Sequence, residues 1–102
     1  MTDRADRIAA TLTARFAPTT LRVIDESARH AGHAGAAPGG QTHYAVLLIS
    51  AAFDGMNRLA RSRAVHEALA AEFAGGLHAL ALTLRTPAEQ AAQSAAARSS
   101  PV

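Results

Sequence analysis

The sequence predicts an α+β domain built on a small three-stranded mixed sheet with helices packed on one of its faces. Three observations carry this. Two apolar runs, residues 21–24 (LRVI) and 44–49 (YAVLLI), flank a segment holding Gly32, Gly35, Pro38, Gly39 and Gly40, the pattern of a β-hairpin with an unusually long loop. Residues 77–84 (LHALALTL) alternate strictly, with His78, Leu80, Leu82 and Leu84 on one face and Ala79, Ala81 and Thr83 on the other. Stretches of helical period precede the hairpin, separate it from this third strand and follow it, so the order is α-β-β-α(α)-β-α.

The elements follow in turn. Residues 3–16 place Ala5, Ile8, Ala9, Leu12 and Phe16 at helical spacing, with Asp3 and Asp6 at the positive end of the helix dipole and Pro18 beyond its end. The second strand is apolar at every position from Tyr44 to Ile49, as in a strand that is central or covered on both sides. Residues 50–55 turn the chain. Residues 57–73 are helical again, with Val65, Leu69 and Phe73 in one stripe, as one helix or as two with a break near Ser62; Gly75-Gly76 ends the run. Thr86-Pro87-Ala88-Glu89 is a helix start, with Thr as N-cap, Pro at the first helical position and Glu completing a capping box. The final helix loses its apolar stripe in an Ala-, Gln- and Ser-rich stretch, so a single domain over residues 1–93 and a disordered tail over 94–102 are expected.

Composition narrows the function. All ten basic residues are arginine, which raises the isoelectric point to about 10.4 although the formal charge is only +2. That charge does not by itself predict nucleic-acid binding. The chain has no cysteine, so it supplies no disulfide, thiol nucleophile or thiolate metal ligand of its own. The first residues lack a basic stretch followed by an apolar one, and no apolar run approaches membrane-spanning length, so a soluble cytoplasmic protein with no membrane partner is expected. No nucleophile stands at a plausible distance from a base. Asp25 and Glu26 are adjacent and point to opposite faces of a strand, and no phosphate-binding glycine loop follows a strand. No enzymatic activity is expected.

Particular residues then suggest a family. Asp25-Glu26-Ser27, His30 to Gly35 (HAGHAG), Gly40-Gln41-Thr42-His43-Tyr44, Phe53-Asp54-Gly55, Arg61-Ser62-Arg63-Ala64-Val65-His66, Gly76-Leu77-His78-Ala79-Leu80 and Thr86-Pro87-Ala88-Glu89 occur in an order and spacing that resembles BolA proteins over almost the whole chain. Each piece is weak alone; the set is specific. Two positions depart from the family pattern: Ser62 stands where a histidine between two arginines is common, and Gln90 where a tryptophan often follows the Thr-Pro.

The resemblance implies a fold similar to the class II KH domain and a partnership with monothiol glutaredoxins. In such complexes the two proteins share a 2Fe–2S cluster, for which glutaredoxin and glutathione supply thiolates and the BolA-like protein supplies two ligands. The chain is then expected to be a monomer alone and a heterodimer with its partner. Carried over, the ligands are His78 and one hairpin-loop histidine. Counting from Asp25-Glu26-Ser27 gives His30; counting back from Thr42-His43 lands closer to His33. Such a ligand set, with imidazoles on one iron and thiolates on the other, is Rieske-like and has a raised potential. Because imidazole must be deprotonated to bind, the cluster should become labile as pH falls. From residue type alone, His78 on a leucine face reads as a buried, hydrogen-bonded side chain and the loop histidines as solvated; only the resemblance makes them ligands. His43 at a strand start reads as structural, or as a group that orients a ligand.

A different reading is DNA binding, since some BolA proteins are described as transcription regulators. The surface would be Arg58, Arg61 and Arg63 with His66 on a helix-turn-helix-like segment, Arg58 and Arg61 being three residues apart. Against it, no Gly-x-x-Gly clamp joins the paired helices, and Gly32-His33-Ala34-Gly35 joins strands instead. The same arginines also suit an acidic protein partner.

Overall fold

A computed structural model of the chain describes residues 3–26 and 43–99. The order is α1 (Arg4–Phe16), β1 (Thr20–Asp25), β2 (His43–Ile49), a short 3₁₀ turn (Ala51–Phe53), α2 (Arg58–Ala68), α3 (Ala70–Ala74), β3 (Ala79–Arg85) and α4 (Pro87–Ser99). This is the α+β architecture expected, with a mixed three-stranded sheet. The sheet order is β1-β2-β3; β1 runs antiparallel to β2, and β2 parallel to β3. Parallel neighbours need a crossover, which α2 and α3 supply.

Asp3 caps α1 by accepting from the Asp6 N–H at 2.9 Å. The helix ends at Ala17, held left-handed at φ 43°, and Pro18 prevents continuation. Its buried stripe, Ile8, Leu12 and Phe16, lies against Tyr44, Val46 and Leu48 of the central strand. Val65 and Leu69 complete the core from α2 and its end, with Phe53 and Leu77. Ser50 closes the corner between β2 and the 3₁₀ turn: its hydroxyl donates to the Phe16 carbonyl and accepts from the Ala52 N–H.

The second helical stretch breaks at Leu69, not near Ser62. Ser62 lies mid-helix, whereas Leu69 is drawn wholly into the core at φ −101° and ψ 16°, which ends α2 and starts α3. Glu72 of α3 then fastens α1, taking Arg4 Nε on Oε1 and Arg7 Nε on Oε2, both at 3.0 Å. The Arg7 hydrogen bond, reinforced by Arg4, holds the Glu72 carboxyl below the usual carboxylate range despite partial desolvation. Gly76, at φ 119°, takes a backbone conformation other residues rarely adopt and redirects the chain into β3. The capping box is realised: Thr86 Oγ1 accepts from the Glu89 N–H at 3.1 Å, and Glu89 Oε1 accepts from the Thr86 N–H at 2.8 Å. α4 is helical past Ser94, through Ser99.

Candidate functional site

The expected site residues divide between two places. The first is the end of the sheet where β2 and β3 begin. The parallel register sets His43, the first residue of β2, opposite Ala79, the first residue of β3. His78 directly precedes β3. The alternation that placed it among the inward leucines does not extend to it: it is exposed, whereas Leu77 before it is buried. Leu77 is fixed twice, by its side chain in the core and by its N–H on the Glu72 carbonyl at 2.9 Å. His78 therefore projects outward from an anchored stem. The buried histidine that residue type alone suggested is not what forms.

The His43 and His78 rings lie 5.9 Å apart between centroids, at 80°. That is an edge-to-face contact. With metal–nitrogen bonds of about 2.1 Å, two imidazoles on one metal hold their centres roughly 5–6 Å apart, so the spacing also suits a common metal. The Glu26 N–H donates to the His43 carbonyl at 2.8 Å, extending the β1–β2 ladder to the brink of the hairpin loop. His30 and His33 lie outside the described residues. Among the described residues no group of three or more His, Asp or Glu side chains surrounds a metal position. Tyr44, next in the strand, faces the core; burial first, and Asp25 second, raise its phenol above its usual range.

The second place is a groove of about 790 Å³ between the start of α2, β3 and α4, lined by Met56, Arg58, Arg61, Leu82, Leu84 and Gln93 among others. Here the structure corrects the sequence reading. Arg61 is not a surface cation: it is 8% exposed and fully engaged within the domain. Its Nε donates to the Met56 carbonyl at 2.9 Å and Nη1 to the Leu84 carbonyl at 3.2 Å, while the guanidinium forks onto Glu89 at 2.6 and 3.0 Å. The guanidinium carbon also lies 5.7 Å from the Phe53 ring centre. The Arg61 hydrogen bonds, with the Thr86 N–H, lower the Glu89 pKa to about 2. Arg58 and Arg63 are exposed, but Arg58 opens on the groove while Arg63 lies on the side of α2 that carries His66. His66 is exposed and stacks on Phe73 at 5.1 Å and 16°. The four residues do not make one continuous surface.

Sequence reasoning missed two things. It did not see that Arg61 ties α2 to α4, for which the second oxygen of Glu89, not used by the capping box, was the available signal. It also did not see how closely His43 approaches His78, which depends on the parallel pairing of β2 with β3.

Comparison with known proteins agrees with this geometry. A family model described as BolA-like protein matches residues 12–89. BolA-like protein 1 of Mus musculus is 44% identical over 82 residues; the alignment covers 80% of this chain and 57% of that relative, so the chain spans little more than half its length. Among solved structures, BolA1 from Arabidopsis thaliana matches with a TM-score of 0.78 at 38% identity, covering 87% of this chain and 97% of that one. The BolA domain of SufE1 from the same plant also reaches 0.78, at 37% identity, covering 87% and 98%. The motifs around His43, His78 and Thr86-Pro87, the fold they occupy and these matches have one reading: the chain belongs to the BolA family.

Proposed function

We propose that this chain is an adaptor in iron–sulfur cluster trafficking or iron-linked regulation that shares a 2Fe–2S cluster with a monothiol glutaredoxin and glutathione. The observation that carries the reading is the exposed His78 on its anchored stem with the His43 ring 5.9 Å away. His78 supplies one ligand and a hairpin-loop histidine, His30 or His33, the second. His43 sets the orientation of the His78 ring from the neighbouring strand. The partner's thiolates supply what a cysteine-free chain lacks. Membership of the BolA family and the likeness to a BolA domain within SufE1 support it.

The test is to combine the chain with a monothiol glutaredoxin, glutathione, iron and sulfide and to record visible absorption and circular dichroism. His78→Ala should change the cluster bands, and exactly one of His30→Ala and His33→Ala should do the same. A spectrum identical to the parent's for His78→Ala removes His78 from the ligand set; a ligand loss in His43→Ala with neither loop variant affected makes His43 the second ligand. Nucleic-acid binding through α2 is the lesser reading, because Arg61 is spent inside the domain.

A further inference from the structure

β3 is a terminal strand of the sheet, so one of its edges has no neighbouring strand. The Ser50 N–H donates to the Arg85 carbonyl at 2.9 Å, which fixes the pleat. Ala79, Ala81, Thr83 and Arg85 turn their N–H and C=O groups toward β2; Leu80, Leu82 and Leu84 turn theirs away from it. Arg61 Nη1 takes the outward Leu84 carbonyl at 3.2 Å. Among the described residues no hydrogen bond reaches the outward groups of Leu80 and Leu82. The groove between α2, β3 and α4 opens on this edge. Leu82, Thr83, Leu84 and Arg85 line it in succession, with residues of both sheet faces together, as a groove along an edge requires.

The groove's uncompensated charge is of one sign. Of its lining residues Glu89 alone is acidic, and the Arg61 guanidinium already forks onto it. Asp54 also acts on Arg61 and does not line the groove. Arg58 is exposed and has no ion pair among the described residues. Arg85 gives one nitrogen to Gln90, a neutral partner, at 2.9 Å. We propose that this edge takes a short acidic segment of a partner protein, added beside β3 as a fourth strand. Its amides and carbonyls bond the outward groups of Leu80 and Leu82 and the Leu84 N–H, while Arg61 keeps the Leu84 carbonyl. Residues 80–84 span about 13 Å, so roughly five residues of the segment suffice. Apolar side chains on one face continue the surface of Leu82 and Leu84; carboxylates meet Arg85 on the other face and Arg58 at the α2 wall. A second copy pairing edge to edge brings no acid, since β3 (ALALTLR) contains none. The groove lies toward the end of β3 remote from His78, and the proposal does not depend on the cluster reading.

The test is fluorescence anisotropy of a fluorescein-labelled hexapeptide alternating valine and glutamate, titrated with the full chain. Binding should be weak, with a dissociation constant on the order of 10–100 μM. Amides facing the edge alternate along a strand, so methylating the nitrogens of the valines alone, or of the glutamates alone, blocks one set and leaves the other. One of these two peptides should bind at least about tenfold more weakly than the other. Lysine in place of glutamate should abolish binding, and Arg58→Glu with Arg85→Glu should weaken it at least about tenfold. The methylated pair is compared on the parent chain, so that arm needs no variant to fold. No binding up to about 1 mM, equal binding of the two methylated peptides, or equal binding of the lysine peptide overturns the proposal. So does a parent that sediments as a dimer unchanged by the peptide, its edge then being covered by a second copy, or displacement of the peptide by an equal concentration of hexathymidylate, the groove then being a nucleic-acid site.

Discussion

Replacing Arg61 with alanine should cost this domain more than any other exposed-looking position on α2. The guanidinium serves the Met56 and Leu84 carbonyls and both oxygens of Glu89, and lies near the Phe53 ring. A charged donor on a carbonyl contributes roughly 1–2 kcal/mol once water entering the groove has partly replaced it. Loss of the ring contact adds about 0.5–1 kcal/mol. The Glu89 pair adds least, because that carboxylate is 48% exposed. The contacts share one side chain and are not additive, so the sum is about 2–4 kcal/mol. At this chain length each kcal/mol moves the melting temperature by about 4–8 °C, so Arg61→Ala should melt roughly 10–25 °C below the parent in a thermal circular dichroism scan. Arg58→Ala and Arg63→Ala, both at exposed positions, should stay within about 0.5 kcal/mol. A melting point for Arg61→Ala within about 3 °C of the parent would mean that the guanidinium does not hold α2 to α4.

Acid should act through Glu89. Its folded pKa of about 2 lies below the ordinary 4.5, so its contribution is present above 4.5 and is lost as pH falls through about 2. Urea denaturation at a series of pH values should show parent stability declining across that window, and Glu89→Gln should show a shallower decline; equal slopes would contradict the assignment. Ala17→Gly should stabilise the fold by about 0.5 kcal/mol, since relief of the left-handed backbone at φ 43° exceeds the added freedom of the unfolded chain. Chemical denaturation reads this, and a destabilised glycine variant would show that Ala17 is not strained.

What was legible in sequence was what short-range chemistry determines. Asp3 caps α1, Thr86 and Glu89 close a capping box, and Leu80, Leu82 and Leu84 turn inward, each set by neighbours a few residues away. The misplaced helix break shows the limit. Nothing local marks Leu69, a core residue whose φ of −101° and ψ of 16° separate α2 from α3. Arg61 shows the same limit for charge: its spacing from Arg58 suggested a common outward face, whereas its partners lie at positions 84 and 89, in elements that only tertiary folding brings near. Gln90 stands where the family often has an aromatic anchor, and it accepts from Arg85 Nη1 at 2.9 Å, a polar fastening in place of a packed ring.

Because the crossover brings β3 back in the same direction as β2, both strands start at the same end, and so do the two imidazoles attached to those starts. Had the chain returned by a hairpin, one ring would have stood at each end of the sheet. Their meeting is thus a property of the completed fold and of no contiguous peptide: a fragment ending before β3 keeps His43 without its counterpart, and a chain whose α2 and α3 have not docked holds both rings without joining them. The contact between the two rings is on this account also a measure of nativeness, withheld until the connecting helices are seated.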